Sequence, residues 1–284
     1  MIAITGATGL LGQYVIENLL QTLPASQIVA IARNPAKGAS LSRKGISLRQ
    51  ADYDDEATLI RALQGVQKLL LISSSEIGQR VTQHRNVINA AKSANVKFIA
   101  YTSLLHADTS PLSLHAEHVE TEKMLADSGI RYTLLRNGWY TENYLASVPV
   151  ALEHGVFIGA AGNGKIASAA RADYAAAAAR VISEDGHAGK VYELAGDEAW
   201  TLSRLAKELT EQSGKNVVYQ NLSQADFVAA LKNAGLPDGL SEMLADSDIG
   251  ASEGGLFDDS HTLSKLIGRP TTTLAESIKG IQTR

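Results

Sequence analysis

The chain opens with a short apolar run that leads into a glycine-rich loop, Ile2-Ala3-Ile4-Thr5-Gly6-Ala7-Thr8-Gly9-Leu10-Leu11-Gly12. Small and β-branched side chains in the first four residues are typical of a buried strand, and the residues after Leu11 have a helical pattern. The three glycines therefore lie at a strand-to-helix turn. Such a turn brings backbone N–H groups and a helix N-terminus close to phosphate oxygens, and a Cβ at Gly6 or Gly9 would obstruct that approach.

We predict from this arrangement that the loop binds the pyrophosphate of a dinucleotide, and that Gly12 lets the helix lie against the sheet. A tight turn without a ligand is the alternative, and it explains three glycines at this spacing less well. The loop residues expected to bind the cofactor are Gly6, Ala7, Thr8, Gly9, Leu10, Leu11 and Gly12.

Outward from the loop, short apolar runs alternate with longer helical segments through the first half of the chain. This alternation builds a parallel sheet through right-handed crossovers. We predict six strands, at Ile2–Thr5, Ile28–Ala32, Ile46–Gln50, Lys68–Ile72, Lys97–Thr102 and Tyr132–Arg136. Helices are predicted to start at Leu11, Glu56 and Gln79, with a further helix at His115–Asp127. The predicted fold class is α/β, a doubly wound parallel Rossmann-type sheet.

Beyond Asn137 the alternation becomes less regular. We predict a helix after Thr141, a short strand near Val156, a Gly-Asn-Gly turn, and an alanine-rich helix with Asp173 as its N-cap. A strand at 190–194 would return the chain to the sheet. Further helices are predicted at 202–212, 225–233 and 274–281, around a polar, glycine-rich stretch at 246–260.

This pattern predicts two interleaved domains. A Rossmann domain is expected over residues 1–137, rejoined by about 171–195. A smaller, mostly helical C-terminal domain on the substrate side is expected over residues 138–170 and 196–284. Because the chain returns to the sheet, we expect no single linker between them.

Composition excludes several classes of function. The 284 residues include no cysteine, which excludes disulfides and thiol nucleophiles, and the histidines lack metal-ligand spacing, so no metal is expected. A net charge of −4 gives no basic surface for nucleic acid or membrane, and no run is apolar enough to span a bilayer. Because the strand pattern follows Met1 directly, we expect no signal peptide and a cytoplasmic location. A small molecule is the expected partner.

The end of the second strand indicates which dinucleotide is bound. An acidic side chain there would accept hydrogen bonds from both ribose hydroxyls of NAD, but this chain has Arg33. A guanidinium can pair with the 2′-phosphate of NADP and stack on adenine, so Arg33 favours NADP(H). The alternative is a solvated surface arginine. Past the fourth strand, Ser73, Ser74 and Ser75 are small enough for close approach of a nicotinamide ribose, although a serine triplet is by itself only a loop.

A Tyr-x-x-x-Lys motif, which short-chain dehydrogenases use for proton transfer, is missing from the helix after the fifth strand. His118 takes the expected tyrosine position and Glu122 the lysine position. One helical turn separates them, so an ion pair between the two is at least as good an interpretation as a catalytic role. This departure disfavours an alcohol dehydrogenase, an epimerase or a dehydratase.

The chain resembles the NmrA-like branch of the atypical short-chain dehydrogenases, whose members include bacterial quinone and triphenylmethane dye reductases. The resemblance covers essentially the whole chain. It rests on Ile4-Thr5-Gly6-Ala7-Thr8-Gly9, Ala32-Arg33-Asn34-Pro35, Leu71-Ile72-Ser73-Ser74-Ser75, Leu135-Arg136-Asn137-Gly138-Trp139-Tyr140 and Arg171-Ala172-Asp173. Tyr140, Asn143 and Tyr144 make the quinone reductases of that branch the nearest match.

The resemblance implies further site residues. Asn137 would hydrogen-bond the nicotinamide carboxamide, while Tyr140 and Asn143 would position the electron acceptor. Lys165 and Arg171 would reach the cofactor, although an ion pair between Arg171 and Asp173 explains that arginine equally well. The cofactor-binding residues expected on this basis are Asn137, Gly138, Trp139, Tyr140, Thr141, Glu142 and Arg171.

These observations lead to an NADPH-dependent oxidoreductase that reduces quinones or similar electrophilic aromatics. Such acceptors need little help from a protein acid, so direct hydride transfer without flavin is the simplest scheme. A non-catalytic NADP(H)-binding redox sensor is the alternative from another class, and a sugar-nucleotide epimerase is disfavoured. The sequence also allows a homo-oligomer.

Overall fold

The computed structural model describes residues 1–282 and consists of a seven-stranded sheet, a two-stranded sheet and helices. The strands are β1 Ile2–Ile4, β2 Ile28–Ala32, β3 Ser47–Gln50, β4 Lys68–Leu71, β5 Phe98–Leu104, β6 Arg131–Asn137, β7 Val156–Gly159, β8 Val191–Leu194 and β9 Val218–Asn221. The helices are α1 Leu10–Leu19, α2 Ala39–Arg43, α3 Glu56–Ala62, α4 Arg80–Ser93, α5 His115–Asp127, α6 Thr141–Leu145, α7 Val148–His154, α8 Arg171–Ser183, α9 Leu202–Ser213, α10 Gln224–Asn233, α11 Asp238–Ser252, α12 Thr262–Ile267 and α13 Leu274–Gln282.

The large sheet confirms the predicted doubly wound α/β class. Its strand order is β3-β2-β1-β4-β5-β6-β8, and β1 to β6 pair in parallel. Successive strands are added outward on one side of β1 and then on the other, so the order reverses between β1 and β4. In open sheets of this kind, ligands bind at the carboxyl ends of the strands beside that reversal.

Two compact units share the chain. The first unit comprises Met1–Ala107, Ala116–Asn137 and Arg171–Tyr192; the second unit comprises Asp108–His115, Gly138–Ala170 and the chain from Glu193 onward. The second unit contains the two-stranded parallel sheet of β7 and β9, in addition to the helices expected there. Its small core places Phe227, Ala160 and Ala245 together.

Helices cover both faces of the large sheet. Buried residues of α3, α4 and α5, among them Leu59, Val87 and Leu125, share one core with alternate strand residues such as Leu69 and Tyr101. On the other face α8 contacts α1, β4 and β5. Four of the six alanines of α8 are buried, and their small side chains allow close helix packing.

Two local predictions are wrong. The alanine-rich helix begins at Arg171 rather than after Asp173, so Asp173 lies buried in its first turn and is not the N-cap. The glycine-rich stretch at 246–260 is helical as far as Ser252, because α11 runs through it. Gly250 permits this helix to approach Leu112, since a Cβ there would lie 2.7 Å from Leu112 Cδ1. Over residues 1–282, no helix combines the length and apolar character that a membrane span requires.

Candidate functional site

The glycine loop lies at the reversal point of the large sheet. Thr5 joins the ends of β1 and β4, because its N–H donates to the Leu70 carbonyl at 3.1 Å and its Oγ1 accepts from the Ile72 N–H at 3.0 Å. The loop at 6–9 and the segment at 73–75 therefore leave neighbouring strands at the same edge. This placement matches the expected position of a dinucleotide in a doubly wound sheet.

Two of the three loop glycines are required by the backbone itself. Gly6 has φ +59°, a conformation that other residues adopt only with strain. Gly12 packs against the loop, since a Cβ there would lie 2.4 Å from the Gly6 oxygen and 2.8 Å from Ala7 Cα. Glycine at position 12 therefore lets α1 pack closely on the loop that follows β1.

The start of α1 is suited to an anion. Gly9 is the N-cap, no acidic residue lies in the first turn, and the first N–H groups of a helix have no partner within the helix. Gly6, Gly9 and Leu10 are exposed, whereas Ala7 is buried and its N–H donates to the Ile31 carbonyl at 3.3 Å. A pyrophosphate therefore fits this cradle, although Ala7 has no free N–H to offer.

Arg33 lies at the end of β2, but an internal acid already neutralises it. Its Nη1 lies 2.8 Å from Glu76 Oε1, and the two side chains are 67% and 41% exposed. The hydrogen bond and charge of Glu76, together with the nearby charges of Asp52 and Asp54, raise the pKa of Arg33. Arg33 thus has the charge and exposure to bind a 2′-phosphate, but not as the free cation that the sequence suggested.

Buried polar side chains hold the serine segment, residues 73–75, in place through hydrogen bonds. The Ser73 N–H donates to Thr102 Oγ1 at 2.8 Å, and the Ser74 N–H donates to His84 Nε2 at 3.0 Å. The Ser74 hydroxyl is bonded to Gln83, whereas Ser75 is exposed. These contacts fix the backbone at 73–74, and Ser75 is the exposed residue of the segment.

His84 is a neutral anchor. Because a backbone N–H can only donate, Nε2 must be the unprotonated ring nitrogen, and Nδ1 carries the hydrogen toward Thr121 Oγ1 at 2.9 Å. Burial, reinforced by the charge of Arg80, lowers the pKa of His84 to about 3. The ring therefore serves as a structural hydrogen-bond acceptor at neutral pH.

His118 and Glu122, which replace the tyrosine and lysine of the missing motif, bond to other residues and not to each other. His118 is buried, and its Nδ1 lies 2.7 Å from the Tyr101 hydroxyl. Glu122 Oε1 accepts from Ser103 Oγ at 2.5 Å, and its carboxylate pairs with Arg136. The suggested ion pair between His118 and Glu122 is therefore wrong. Burial is the main reason that the pKa of His118 lies well below its usual value, so it stays neutral.

Asn137 ends β6 with an unused amide oxygen. Its backbone carbonyl accepts from the Leu105 N–H at 2.9 Å, but its side-chain Oδ1 is buried and has no hydrogen-bond partner. Such orphaned polar atoms are uncommon in folded proteins, so this oxygen is available to a donor. A carboxamide N–H of nicotinamide is the kind of donor that would satisfy this atom.

The adjoining loop of the second unit is organised by its backbone. Gly138 N–H donates to the Leu194 carbonyl at 2.8 Å, and Thr141 N–H donates to the Ala169 carbonyl at 3.0 Å. Trp139 is buried, whereas Tyr140, Glu142 and Asn143 are partly exposed. The loop that the sequence singled out is thus rigidly held, with three polar side chains reachable by a small molecule.

Tyr144 has a second orphaned polar atom. Its hydroxyl is buried without a hydrogen-bond partner, and its ring packs edge-on against Trp200 at 5.1 Å between centroids. Burial, then the charges of Asp248 and Tyr219, raise the pKa of Tyr144 well above its usual value. The phenol therefore keeps its proton and can donate it in a hydrogen bond to an incoming acceptor.

Asp248 on α11 is a buried carboxyl that the sequence did not indicate. Its Oδ2 accepts from the Ala160 N–H at 2.7 Å, and burial raises its pKa to about 6. A Cβ at Gly159 would lie 2.8 Å from that oxygen, so glycine is needed for the approach. No local motif marks Asp248, because its environment comes from distant parts of the second unit.

Two basic residues implied by the resemblance have different surroundings. Arg171 is the first residue of α8 and is partly exposed. Lys165 lies with its Nζ 5.5 Å from the centroid of the Phe257 ring, which directs it toward that ring. Across the described part of the chain, no three His, Cys, Asp or Glu side chains group as metal ligands would.

Sequence reasoning also missed Glu76 and Gln83. Glu76 lies 43 positions after Arg33, so no spacing rule connects them. Its place directly behind the serine segment, at the carboxyl edge of the sheet, was the available signal. Gln83 lies on α4, where its buried amide has no local partner that the sequence would reveal.

Comparison with known proteins agrees with this fold. The NmrA-like family model matches residues 1–279. Quinone oxidoreductase 2 of Escherichia coli (strain K12) is 80% identical over 98% of this chain and 97% of its own length. The crystal structure of an NADPH-dependent quinone oxidoreductase from that species, complexed with NADPH, has 79% identity and a TM-score of 0.98, covering 99% of this chain and all of the other.

A second solved relative differs in the molecule it reduces. Triphenylmethane reductase from Citrobacter sp., complexed with NADP(H), has 40% identity and a TM-score of 0.96, covering 99% of each chain. The fold is thus shared with these reductases over nearly the whole chain. Since the family model spans nearly every residue, the chain belongs to the NmrA-like family.

Proposed function

We propose that the chain is an NADPH-dependent oxidoreductase that reduces quinones, or similar electrophilic aromatic molecules, by direct hydride transfer without flavin. The observation that carries the proposal concerns the two positions at which short-chain dehydrogenases have the tyrosine and lysine of their motif. One holds a buried neutral histidine, His118, and the other a carboxylate, Glu122, committed to Arg136. Neither can transfer a proton to a substrate alkoxide. The chemistry must therefore suit an acceptor that stabilises its own negative charge.

The relatives support the choice of quinone. The proteins of 80% and 79% identity are a quinone oxidoreductase and an NADPH-dependent quinone oxidoreductase, and the Citrobacter relative acts on triphenylmethane dyes. Both acceptor types are conjugated molecules that accept hydride at an electron-poor centre. The shared requirement is close alignment with nicotinamide rather than acid catalysis.

The first unit would hold most of the cofactor. Backbone N–H groups at the start of α1 would bind the pyrophosphate, and Arg33 would bind the 2′-phosphate. Small side chains at 73–75 would admit the nicotinamide ribose, and the orphaned oxygen of Asn137 would accept from the carboxamide. When bound, reduced nicotinamide supplies the hydride.

We assign the second unit to the substrate side. Gly138, Trp139, Thr141 and Glu142 are proposed to contact the cofactor, and Arg171 of the first unit to add a positive charge. Tyr140 and Asn143 are proposed to position the quinone. Tyr144 can donate a hydrogen bond to a quinone carbonyl, because its phenol is protonated and lacks a partner.

Stopped-flow loss of NADPH absorbance, with flavin-free protein and benzoquinone, tests this proposal. NADH and the variant Arg33→Ala are measured in parallel. Arg180→Ala is the matched control, since Arg180 also forms an exposed ion pair with a glutamate, Glu184, in the first unit. We expect rapid quinone-dependent oxidation that favours NADPH, and loss of that preference in Arg33→Ala alone. Tight NADPH binding without turnover across several acceptors would instead indicate a nucleotide sensor.

A further inference from the structure

The ion pair between Arg33 and Glu76 is built into a larger network. Glu76 Oε1 lies 2.8 Å from Arg33 Nη1, while its other oxygen, Oε2, accepts from Gln83 Nε2 at 2.9 Å. Both carboxylate oxygens are thus engaged. The hydrogen bonds from Arg33 and then Gln83 lower the pKa of Glu76, so the group is ionised at neutral pH.

Gln83 gives the carboxylate a defined position. This buried side chain donates to Asp54 at 3.1 Å and to Glu76, and its own oxygen bonds to the Ser74 hydroxyl. A buried amide needs such partners, because an unsatisfied polar group costs free energy. The hydrogen bond from Gln83 therefore holds the Glu76 carboxylate toward Arg33, whereas many surface ion pairs have no such third residue.

The segment carrying Glu76 is anchored independently of the ion pair. The Ser74 N–H donates to His84, and the Ser74 carbonyl accepts from Arg80 Nε at 2.8 Å. Arg80 also pairs with Glu117, whose Oε1 accepts from the Gly78 N–H at 3.0 Å. The Glu76 side chain can consequently leave Arg33 without loss of the backbone positions on either side.

We propose that Glu76 is an internal counter-ion of Arg33 that the 2′-phosphate of NADP(H) displaces, which makes Glu76 a determinant of cofactor specificity. The inference rests on the proposed function, in which Arg33 binds that phosphate. A phosphate carries more charge than a carboxylate and offers more acceptor oxygens to a guanidinium, so it replaces Glu76. NADH lacks the phosphate and leaves the Arg33–Glu76 pair intact. Glu76 therefore weakens NADPH binding and has little effect on NADH.

The variant Glu76→Gln separates these effects. Its amide oxygen can still accept from Gln83, whereas its negative charge is lost. Isothermal titration calorimetry measures the Kd of NADPH and of NADH for the wild-type protein and the variant. We expect NADPH to bind about three- to fivefold more tightly to the variant, as for loss of a competing exposed ion pair, and NADH to change less than about twofold.

Glu184→Gln is the matched control, because Glu184 is an acid of similar exposure that pairs with Arg180. It should leave both dissociation constants unchanged. Glu76→Ala should shift NADPH in the same direction as Glu76→Gln if the charge is what matters. Unchanged or weaker NADPH binding to both Glu76 variants would overturn the inference. Selective loss of NADH binding would also overturn it, since Glu76 would then be a ribose ligand. If the wild-type protein bound neither nucleotide, the proposed function itself would fail.

Discussion

Glu122 and Arg136 form a two-point ion pair in the first unit, with Oε2 2.7 Å from Nη2 and Oε1 3.0 Å from Nε. The side chains are 11% and 10% exposed, so both charges are largely removed from water. The Glu122 carboxylate, held by Arg136 at two points, stabilises the contact between α5 and the end of β6. It is not a carrier of protons to a substrate.

Removal of the Glu122 carboxylate should therefore destabilise the fold. Glu122→Ala leaves a largely buried guanidinium without this counter-ion, and the loss of unfolding free energy should be about 3–5 kcal/mol. Urea denaturation followed by circular dichroism measures it. The matched control is Glu184→Ala, whose exposed pair with Arg180 should contribute less than about 1 kcal/mol. Equal losses in the two variants would contradict the structural role given to Glu122.

The buried His84 should make stability depend on pH. Its pKa is lowered to about 3 in the folded state, whereas the unfolded ring has a value of 6.5. Between these values the unfolded state binds more protons, so this stabilisation is complete above pH 6.5 and is lost as the pH falls. Relative to His84→Gln, the wild-type protein should lose about 1.4 kcal/mol per pH unit below pH 6.

Unfolding free energies of the two proteins from pH 7 to pH 4.5 would show this slope. His118 shifts in the same direction but is present in both proteins, so its contribution cancels in the difference. Parallel pH profiles for His84→Gln and wild type would show that the pKa of His84 is not lowered in the folded protein.

Asp248 should make the folding stability depend on pH in the opposite direction from His84. Burial raises its folded pKa to about 6 from 3.8, so the folded state binds more protons between these values. Its contribution is fully present below pH 3.8 and is lost as the pH rises through 6. Asp248→Asn does not titrate. Its stability relative to wild type should therefore increase by on the order of 2 kcal/mol between pH 4.5 and pH 7.5.

Melting temperatures of both proteins at pH 4.5, 6 and 7.5 test this expectation. All other ionisable groups are common to the pair, so the change in the difference reports on Asp248. A difference that stays constant with pH would mean that Asp248 is ionised at all these values.

Tyr144→Phe should lower turnover while making the fold more stable. Because the buried hydroxyl has no hydrogen-bond partner, its removal relieves a desolvation cost and should raise the unfolding free energy by about 1 kcal/mol. If the hydroxyl donates to a quinone carbonyl, kcat/KM for benzoquinone should fall about tenfold, with the Kd of NADPH unchanged.

The comparison variant is Tyr192→Phe. The Tyr192 hydroxyl bonds to His187 Nδ1 at 2.8 Å in the first unit, so its removal should lower stability by about 1 kcal/mol and leave kcat/KM unchanged. Unaltered quinone turnover in Tyr144→Phe would remove this residue from the proposed acceptor site.

Local patterns were enough to predict the sheet. Strand β2 and helix α5 have the predicted bounds, because β-branched runs and a Ser-Gly stop after α5 act over short distances. The start of α11 and its passage through Gly250 were not predicted. Glycine lowers helix propensity, and the compensating contact with Leu112 comes from far along the chain.

The site was predictable to a similar degree. The glycine loop and Arg33 could be identified because strand, turn and helix follow each other in sequence. The partners that determine how these residues behave are distant. Glu76 for Arg33, Arg136 for Glu122 and Tyr101 for His118 meet only in the folded sheet. Sequence spacing therefore indicated the candidate site residues, while their charge state and hydrogen bonding required the structure.

The ion pair between Arg33 and Glu76 also affects which anions can bind at Arg33. Nucleoside polyphosphates and nucleic acids bind exposed guanidinium groups through charge alone. With Glu76 in contact, the end of β2 presents an ion pair in place of a lone cation. A polyanion that cannot also occupy the glycine loop gains little from displacing the carboxylate. Such a polyanion should therefore bind this surface less tightly than it would bind a lone arginine.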